Sequence, residues 1–363
     1  MATQQPLVLV TGSSGYLGSP LVERLLSEYQ VVALDQKPPE RAPRGGGADF
    51  IQCDLTNNDS VELAAQTVFQ RHGPRFASCV HLAAYYDFSG EPSPLYRTLT
   101  VEGTGRLLRG LRRFEVEQFV FSSTHIVMKP AEEGEVISEQ SPVEPAWDYP
   151  RSKLEAEQMI RMERGNIPAV ILRLAGVYDA DTHVVPVAQQ MRRIYEKDFQ
   201  SYFFPGDADH GQAFVHLDDA VECIRAAIAR RHQLGPYEVF LIAEPDVMSY
   251  ADLQDQLGEL IHGQEWPTIR IPKSVAKAGA WMQEKMSGEK DEPFIKTWMI
   301  DLADDHYPIA IEHARRALGW EPVHRLRSTL PEMVSRLKRD PEKWYRTNKL
   351  EVPTSSLPKP PAR

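Results

Sequence analysis

Leu7-Val-Leu-Val-Thr-Gly-Ser-Ser-Gly-Tyr-Leu-Gly18 is the stretch that decides how this chain is read. An apolar run stops in glycine at 12, 15 and 18 and restarts as an amphipathic pattern, which is a strand, a tight turn and a helix. Glycine permits the turn, a close approach of backbone to a pyrophosphate, and tight packing of helix on strand. The helix start offers free N–H groups and a positive dipole end to phosphates. Pro20 lies early in the helix, where its missing N–H costs little. A strand–helix turn that binds nothing can carry the same glycines, so the residues that follow matter. Asp35 closes the second apolar run about 20 residues later, where a carboxylate accepts adenosine ribose hydroxyls and repels a 2′-phosphate. That favours NAD, while Lys37, Arg41 and Arg44 just beyond keep NADP open.

Outward from this turn, apolar runs at Leu7–Thr11, Val31–Asp35, Phe50–Asp54, Ser78–Ala83, Gln118–Ser123 and Ala169–Ala175 alternate with helical patterns. The helical patterns are Tyr16–Tyr29, Ser60–Arg71, Pro94–Arg113 and Tyr149–Gly165. Near-continuous apolar strands separated by helices predict an α/β, doubly wound parallel sheet of Rossmann type. Phe214–His216 and Tyr237–Ile242 read as further strands, with a helix over Leu217–Arg231. The expected organisation is a dinucleotide-binding domain over 1–175, to which 213–245 returns. A smaller, mostly helical lobe over 176–212 and 246–335 lies at the sheet's carboxyl edge. The segment 350–363, rich in proline and serine from Pro353, is expected to be a flexible tail.

The chain has 363 residues, 42% hydrophobic and 25% charged, with 41 basic against 51 acidic side chains and a net charge of −10. This composition describes a globular protein and argues against a nucleic-acid partner. No apolar run approaches the roughly 18 residues of a membrane span. The first twelve residues show no signal-peptide pattern, and three scattered cysteines read as packed, reduced thiols, so a cytoplasmic protein acting on a small molecule is expected.

Further motifs follow in a recognisable order: Cys53-Asp-Leu55, His81-Leu-Ala-Ala84, Ser122-Ser-Thr124, Tyr149-Pro-Arg-Ser-Lys153, Arg173–Tyr178, Phe214–Asp219 and Leu318-Gly-Trp320. With the glycine turn, they make residues 6–335 resemble the extended short-chain dehydrogenases/reductases, the NAD-dependent epimerase/dehydratase family. The resemblance implies NAD held by Gly12, Ser14, Gly15, Tyr16, Leu17, Gly18 and Asp35. It places Asp54 and Leu55 beside the adenine, and Leu82, Ala83 and Ala84 on the nicotinamide side. It also implies Tyr149 as general acid/base, Lys153 as its partner and a ligand of the nicotinamide ribose, and Thr124 as holder of the substrate oxygen, with Ser123 as the alternative. Tyr149 and Lys153 lie one turn apart on one helix face. A free tyrosine titrates near ~10, and a neighbouring ammonium and the nicotinamide's charge would favour the phenolate. Tyr345 and Lys349 repeat the spacing, but without the other motifs, and read as a surface helix. By analogy with the family, the fourth helix and Tyr149–Gly165 would pair in a homodimer. Two departures stand out. Thr100 occupies a place where many members have asparagine, and Gln212-Ala213 replaces an arginine common in nucleotide-sugar members.

Tyr85, Tyr86 and Phe88 follow a central strand and are expected, with Val177, to border the substrate; aromatic packing under a lid would explain the three rings equally well. Trp266–Met286 is similar to hydroxysteroid-type members, although Trp281, Met282 and Met286 would also suit ordinary helix packing. The Asp179–His183 and Asp207–His210 loops lack a ligand frame, so no metal is expected. His216 reads as a structural hydrogen-bonding residue. Three readings follow: an NAD-dependent oxidoreductase of a secondary alcohol or ketone, a nucleotide-sugar epimerase or dehydratase that reduces NAD only transiently, and a dinucleotide-sensing protein without chemistry.

Overall fold

Val8 and Val10 enter one apolar core and Leu7 and Leu9 another. Side chains of a strand alternate between faces, so a strand buried on both must split its apolar residues in this way. The computed structural model describes residues 5–39, 47–286 and 296–353, without the side chains of 282–286. It places this strand, β1 (Leu7–Thr11), in the interior of a seven-stranded sheet, third from one edge. The others are β2 (Gln30–Asp35), β3 (Asp49–Gln52), β4 (Ser78–His81), β5 (Phe119–Thr124), β6 (Ala169–Leu174) and β7 (Tyr237–Ile242). Their order is β3-β2-β1-β4-β5-β6-β7, and every pair is parallel. The order reverses between β1 and β4, as a doubly wound sheet requires.

The helices α1 (Gly18–Leu25), α2 (Asn58–His72), α3 (Glu102–Leu111) and α4 (Asp148–Glu163) cover the sheet near the glycine turn and its neighbours. Asn57 caps α2 by accepting the Asp59 and Ser60 N–H groups. The expected helix from Pro94 begins instead as a π-helical turn, Tyr96–Val101, which runs into α3. Thr104 Oγ1 donates to the Thr100 carbonyl there at 2.6 Å, and Thr100 Oγ1 accepts the Tyr85 N–H at 3.0 Å. Widened turns of this kind collect at functional sites.

A third core, containing Tyr178, Met191, Leu257, Trp266, Leu330 and Tyr345, lies apart from the two sheet cores. It corrects two expectations. Tyr345 is fully buried in the helix Pro341–Thr347, bonded to Glu196 at 2.6 Å, and Lys349 falls beyond that helix, so the pair is no surface helix. Leu350 and Val352 pack on this core, while the remainder of the expected tail, 354–363, lies outside the described residues. No helix among the described residues is long and apolar enough to cross a membrane.

A Cβ at Gly18 would collide with the Gly12 carbonyl, a backbone atom that cannot swing aside. Gly18→Ala is expected to lower unfolding free energy by at least ~2 kcal/mol. An unchanged urea midpoint would show that the turn can yield.

Candidate active site

At the reversal between β1 and β4 lies a solvent-open cleft of about 660 Å³. Gly12, Gly15, Asp35 and Leu55 line it with the run Leu82–Ala84. Gln36 and Leu99 also line it, and neither was singled out from sequence. Gly12 has φ +69°, and a Cβ there would stand 2.7 Å from the Ala83 nitrogen, so turn and β4 meet backbone to backbone. Asp35 accepts the N–H of Ser14 at 3.0 Å and of Gln36 at 2.7 Å, tying the end of β2 to the turn. Ser14 Oγ donates to the Lys37 carbonyl at 2.7 Å. No side chain caps α1, so its leading N–H groups are not used internally in that way. Asp54, next to Leu55, accepts from Thr56 and from the Gln36 amide at 2.9 Å. A glycine cradle that any side chain would fill, an uncapped helix start and a strand-end carboxylate fit a dinucleotide. Arg41 and Arg44 lie outside the described residues.

Leu17 packs on the sheet core, as does Val177. Tyr16 stacks on His183 with ring centroids 4.2 Å apart. That contact escaped the sequence reading, and its backbone is unusual: Thr182 and His183 have φ of 93° and 50°. A β-branched residue at positive φ is a true outlier. Trp344 holds it by donating Nε1–H to Thr182 Oγ1 at 3.1 Å, and Asn348 Oδ1 accepts the His183 N–H at 2.7 Å.

Behind the cleft, His81 is buried between two threonines. Thr104 gives its proton to the Thr100 carbonyl, so its oxygen accepts from His81 Nε2 at 2.9 Å. His81 Nδ1 therefore accepts from Thr11 Oγ1 at 2.6 Å. Burial and then the Lys153 charge push His81 down to about 3, so this chain of bonds is neutral.

The buried stripe of α4 contains Lys153 and Glu157 beside Ala156 and Ile160. Charges on a core face break the local pattern, as functional sites tend to. Glu157 meets Arg173 of β6 at 2.7 and 3.1 Å and accepts the Ser123 hydroxyl at 2.5 Å. The Ser123 hydroxyl is thereby engaged inside the protein. Thr124, the last residue of β5, instead stands by the Tyr149 phenol and pulls its pKa down. Lys153 Nζ donates to the Ser122 carbonyl at 2.7 Å and stands 4.9 Å from the Phe121 ring and 5.9 Å from that of Tyr149. Burial pulls Lys153 down to about 7 against the opposing pull of Glu157. Burial also raises Tyr149, with Thr124 acting in the other direction. Burial thus favours the protonated phenol, against the pull toward phenolate that a charged Lys153 and a bound nicotinamide would exert.

Rings surround that phenol. Tyr86 meets Tyr149 edge-on at 4.8 Å, and Trp147 stands 5.6 Å away. Phe88 and Trp298 each lie 5.5 Å from Trp147. Tyr85 turns aside to Tyr96 at 4.9 Å. Trp147 and Trp298 went unnoticed in sequence; the first sits just before the Tyr-x-x-x-Lys motif, the second is far along the chain.

His216, Asp218 and His324 bring potential metal-ligand atoms within 4.8 Å of one another. The two imidazoles are stacked at 4.0 Å, so their in-plane lone pairs run parallel instead of converging, and His216 Nδ1 already accepts the Asp218 N–H at 3.2 Å. Asp179 closes its own loop by accepting the Asp181 and Thr182 N–H groups, and Asp207 accepts that of Asp209.

A family model described as the NAD dependent epimerase/dehydratase family matches residues 8–243. Mouse (Mus musculus) dTDP-D-glucose 4,6-dehydratase is 24% identical over 94% of this chain and 89% of its own length. The 3 beta-hydroxysteroid dehydrogenase/Delta 5-->4-isomerase of Mycobacterium tuberculosis is 23% identical over 92% and 91%. Among solved structures, MoeE5 in complex with UDP-glucose and NAD superposes with a TM-score of 0.67 at 22% identity, covering 94% of this chain and 99% of that one.

Removing one partner of a buried ion pair strands the other, which typically costs about 3–5 kcal/mol. Arg173→Met is expected to destabilise by that amount in urea unfolding. The double variant Arg173→Met/Glu157→Met should regain part of it, and no recovery would show that the pair's charge is not the cause.

Proposed function

Because the chain belongs to the NAD-dependent epimerase/dehydratase family, we propose that it is an oxidoreductase transferring hydride between the nicotinamide and a secondary alcohol or its ketone. The observation that supports this most directly is buried Lys153 one helical turn from Tyr149, its Nζ 5.9 Å from the phenol ring, with Thr124 at the end of β5 beside that phenol. When bound, the dinucleotide supplies the hydride chemistry. In this reading the turn Gly12–Gly18 holds its diphosphate, Asp35 its adenosine ribose, Asp54 and Leu55 its adenine, and Leu82–Ala84 its nicotinamide side. Tyr149 gives a proton to the substrate carbonyl or takes one from the hydroxyl, and Thr124 holds the same oxygen. Lys153 binds the nicotinamide ribose and, when charged, eases formation of the phenolate. Residues 1–175 with 213–245 carry the cofactor, and 176–212 with 246–335 select the substrate. Three buried free thiols suit a reducing cytoplasm.

A second reading is favoured by the dehydratase and the UDP-glucose complex among the relatives: the hydride is taken and returned within one turnover. Net NADH formation with substrate marks the first reading, and product without NADH change marks the second.

Tyr149→Phe is expected to lower kcat/KM roughly 10²–10⁴-fold while NAD still binds. Turnover equal to the parent chain would remove Tyr149 from its role. The upward push of burial on the Tyr149 phenol also sets a pH sign. A raised phenol keeps its proton through neutral pH, so reduction, which uses the proton, stays level there. Oxidation, which needs the phenolate, climbs as pH rises. A flat oxidative kcat/KM across neutral to alkaline pH would contradict this.

A further inference from the structure

Rings surround Tyr149, and carboxylates gather at and beyond the end of the helix that carries Trp298. Trp298 belongs to the short helix Thr297–Asp301 and lies against Trp147, whose other neighbours are Tyr149 and Phe88. Gly90 leaves room for the Trp298 indole, which any side chain there would strike. Tyr86 is half exposed beside Tyr149.

The chain continues from that helix. Tyr307 meets His125, the residue after Thr124, edge-on at 4.9 Å. Asp207 is tied to Asp304 through its N–H at 3.0 Å, and the Asp305 carbonyl accepts the Tyr250 hydroxyl at 3.2 Å. The cations of this region already face carboxylates: Arg270 bonds Asp209 at 2.6 Å and lies 3.4 Å from Asp207, Lys273 pairs with Asp304, and Lys277 with Asp301. Lys296, at the start of the Trp298 helix, faces Glu91, and among the described residues Asp207, Asp209, Asp301, Asp304 and Asp305 outnumber Arg270, Lys273 and Lys277. His210 and His306 stack at 4.9 Å, and burial, then His210, hold His306 below the usual histidine range, so it adds little positive charge near neutrality. Gln212, at a position where an arginine would supply a fork, sits by His125 and Tyr250.

We infer that this site takes an uncharged, flat, ring-bearing secondary alcohol or ketone, gripped by Trp147, Trp298, Tyr86 and Phe88, and turns away substrates carrying a diphosphate. The inference rests on the reading of Tyr149 as the proton-transfer group. Flat apolar rings gain offset and edge contacts on such a cluster and lose no hydration of charge. A diphosphate needs unpaired Arg or Lys donors to replace its water, and here it would meet a surplus of carboxylates.

Binding of α-tetralone and of UDP-glucose to the NAD-saturated full chain tests this, with calorimetry as the readout. α-Tetralone should bind, and Trp298→Ala should weaken it at least tenfold with NAD affinity unchanged, while Trp298→Phe keeps most of the affinity and guards against misfolding. UDP-glucose should bind at least tenfold more weakly than α-tetralone. Tighter UDP-glucose binding, or α-tetralone affinity indifferent to Trp298→Ala, overturns the inference and leaves the assignment of Tyr149 standing. Failure of the parent chain to bind NAD brings down that assignment, and this inference with it.

Discussion

Glu157 carries a negative charge to a point on the sheet that water does not reach. Arg173 meets it with two guanidinium bonds and Ser123 with a third. A buried ion pair adds little net stability, because desolvation offsets most of the attraction. It is directional, however: a planar fork accepts a carboxylate in one orientation. The contact therefore sets how α4 lies across β5 and β6. Lys153 is one helical turn before Glu157 and Tyr149 about two turns before it, so the same contact fixes where the ammonium and the phenol fall relative to Thr124. Lys153 completes the arrangement through the Ser122 carbonyl. The ends of β5 and the stripe of α4 are held by polar bonds where apolar packing would suffice for stability alone.

Dryness then governs protonation. His81, Lys153 and Tyr149 are each moved toward their uncharged forms by burial, and neighbouring groups act only as corrections. Burial favours a neutral relay behind the cleft and a protonated phenol in front of it, and pulls Lys153 down to about 7. In a low-dielectric site a single such charge acts strongly on what binds beside it. The glycine turn contributes on the other side: by meeting Ala83 without side chains it keeps β1 and β4 close enough for Thr11 and His81 to bond.

Much of this was legible along the chain. Leu7–Thr11, Phe214–His216 and Tyr237–Ile242 form strands with the limits read from sequence, because apolar runs bounded by turn residues leave little freedom. The glycine turn, Asp35 and the Tyr149/Lys153 pair are local signals whose spacing is itself the information. Tyr345 misled because spacing cannot report depth: its burial comes from Glu196 and Trp344 closing over it. Trp298 could not be placed beside Tyr149 from sequence, since nothing local links residues so far apart. The choice between Ser123 and Thr124 was open for a related reason. Adjacent strand residues face opposite sides, and only the position of Glu157 shows which hydroxyl is engaged within the protein.

The sequence alone determined the alternation of strand and helix, the cradle for a dinucleotide and the phenol–amine pair, since each depends on residues within a turn or two of one another and on backbone rules that hold anywhere. Only the tertiary structure decided the burial that pushes that pair toward its uncharged forms, the engagement of Ser123 and the make-up of the aromatic cluster. Those depend on how much water is excluded and on contacts between residues separated by tens to hundreds of positions, and neither quantity is written in any local run of the chain.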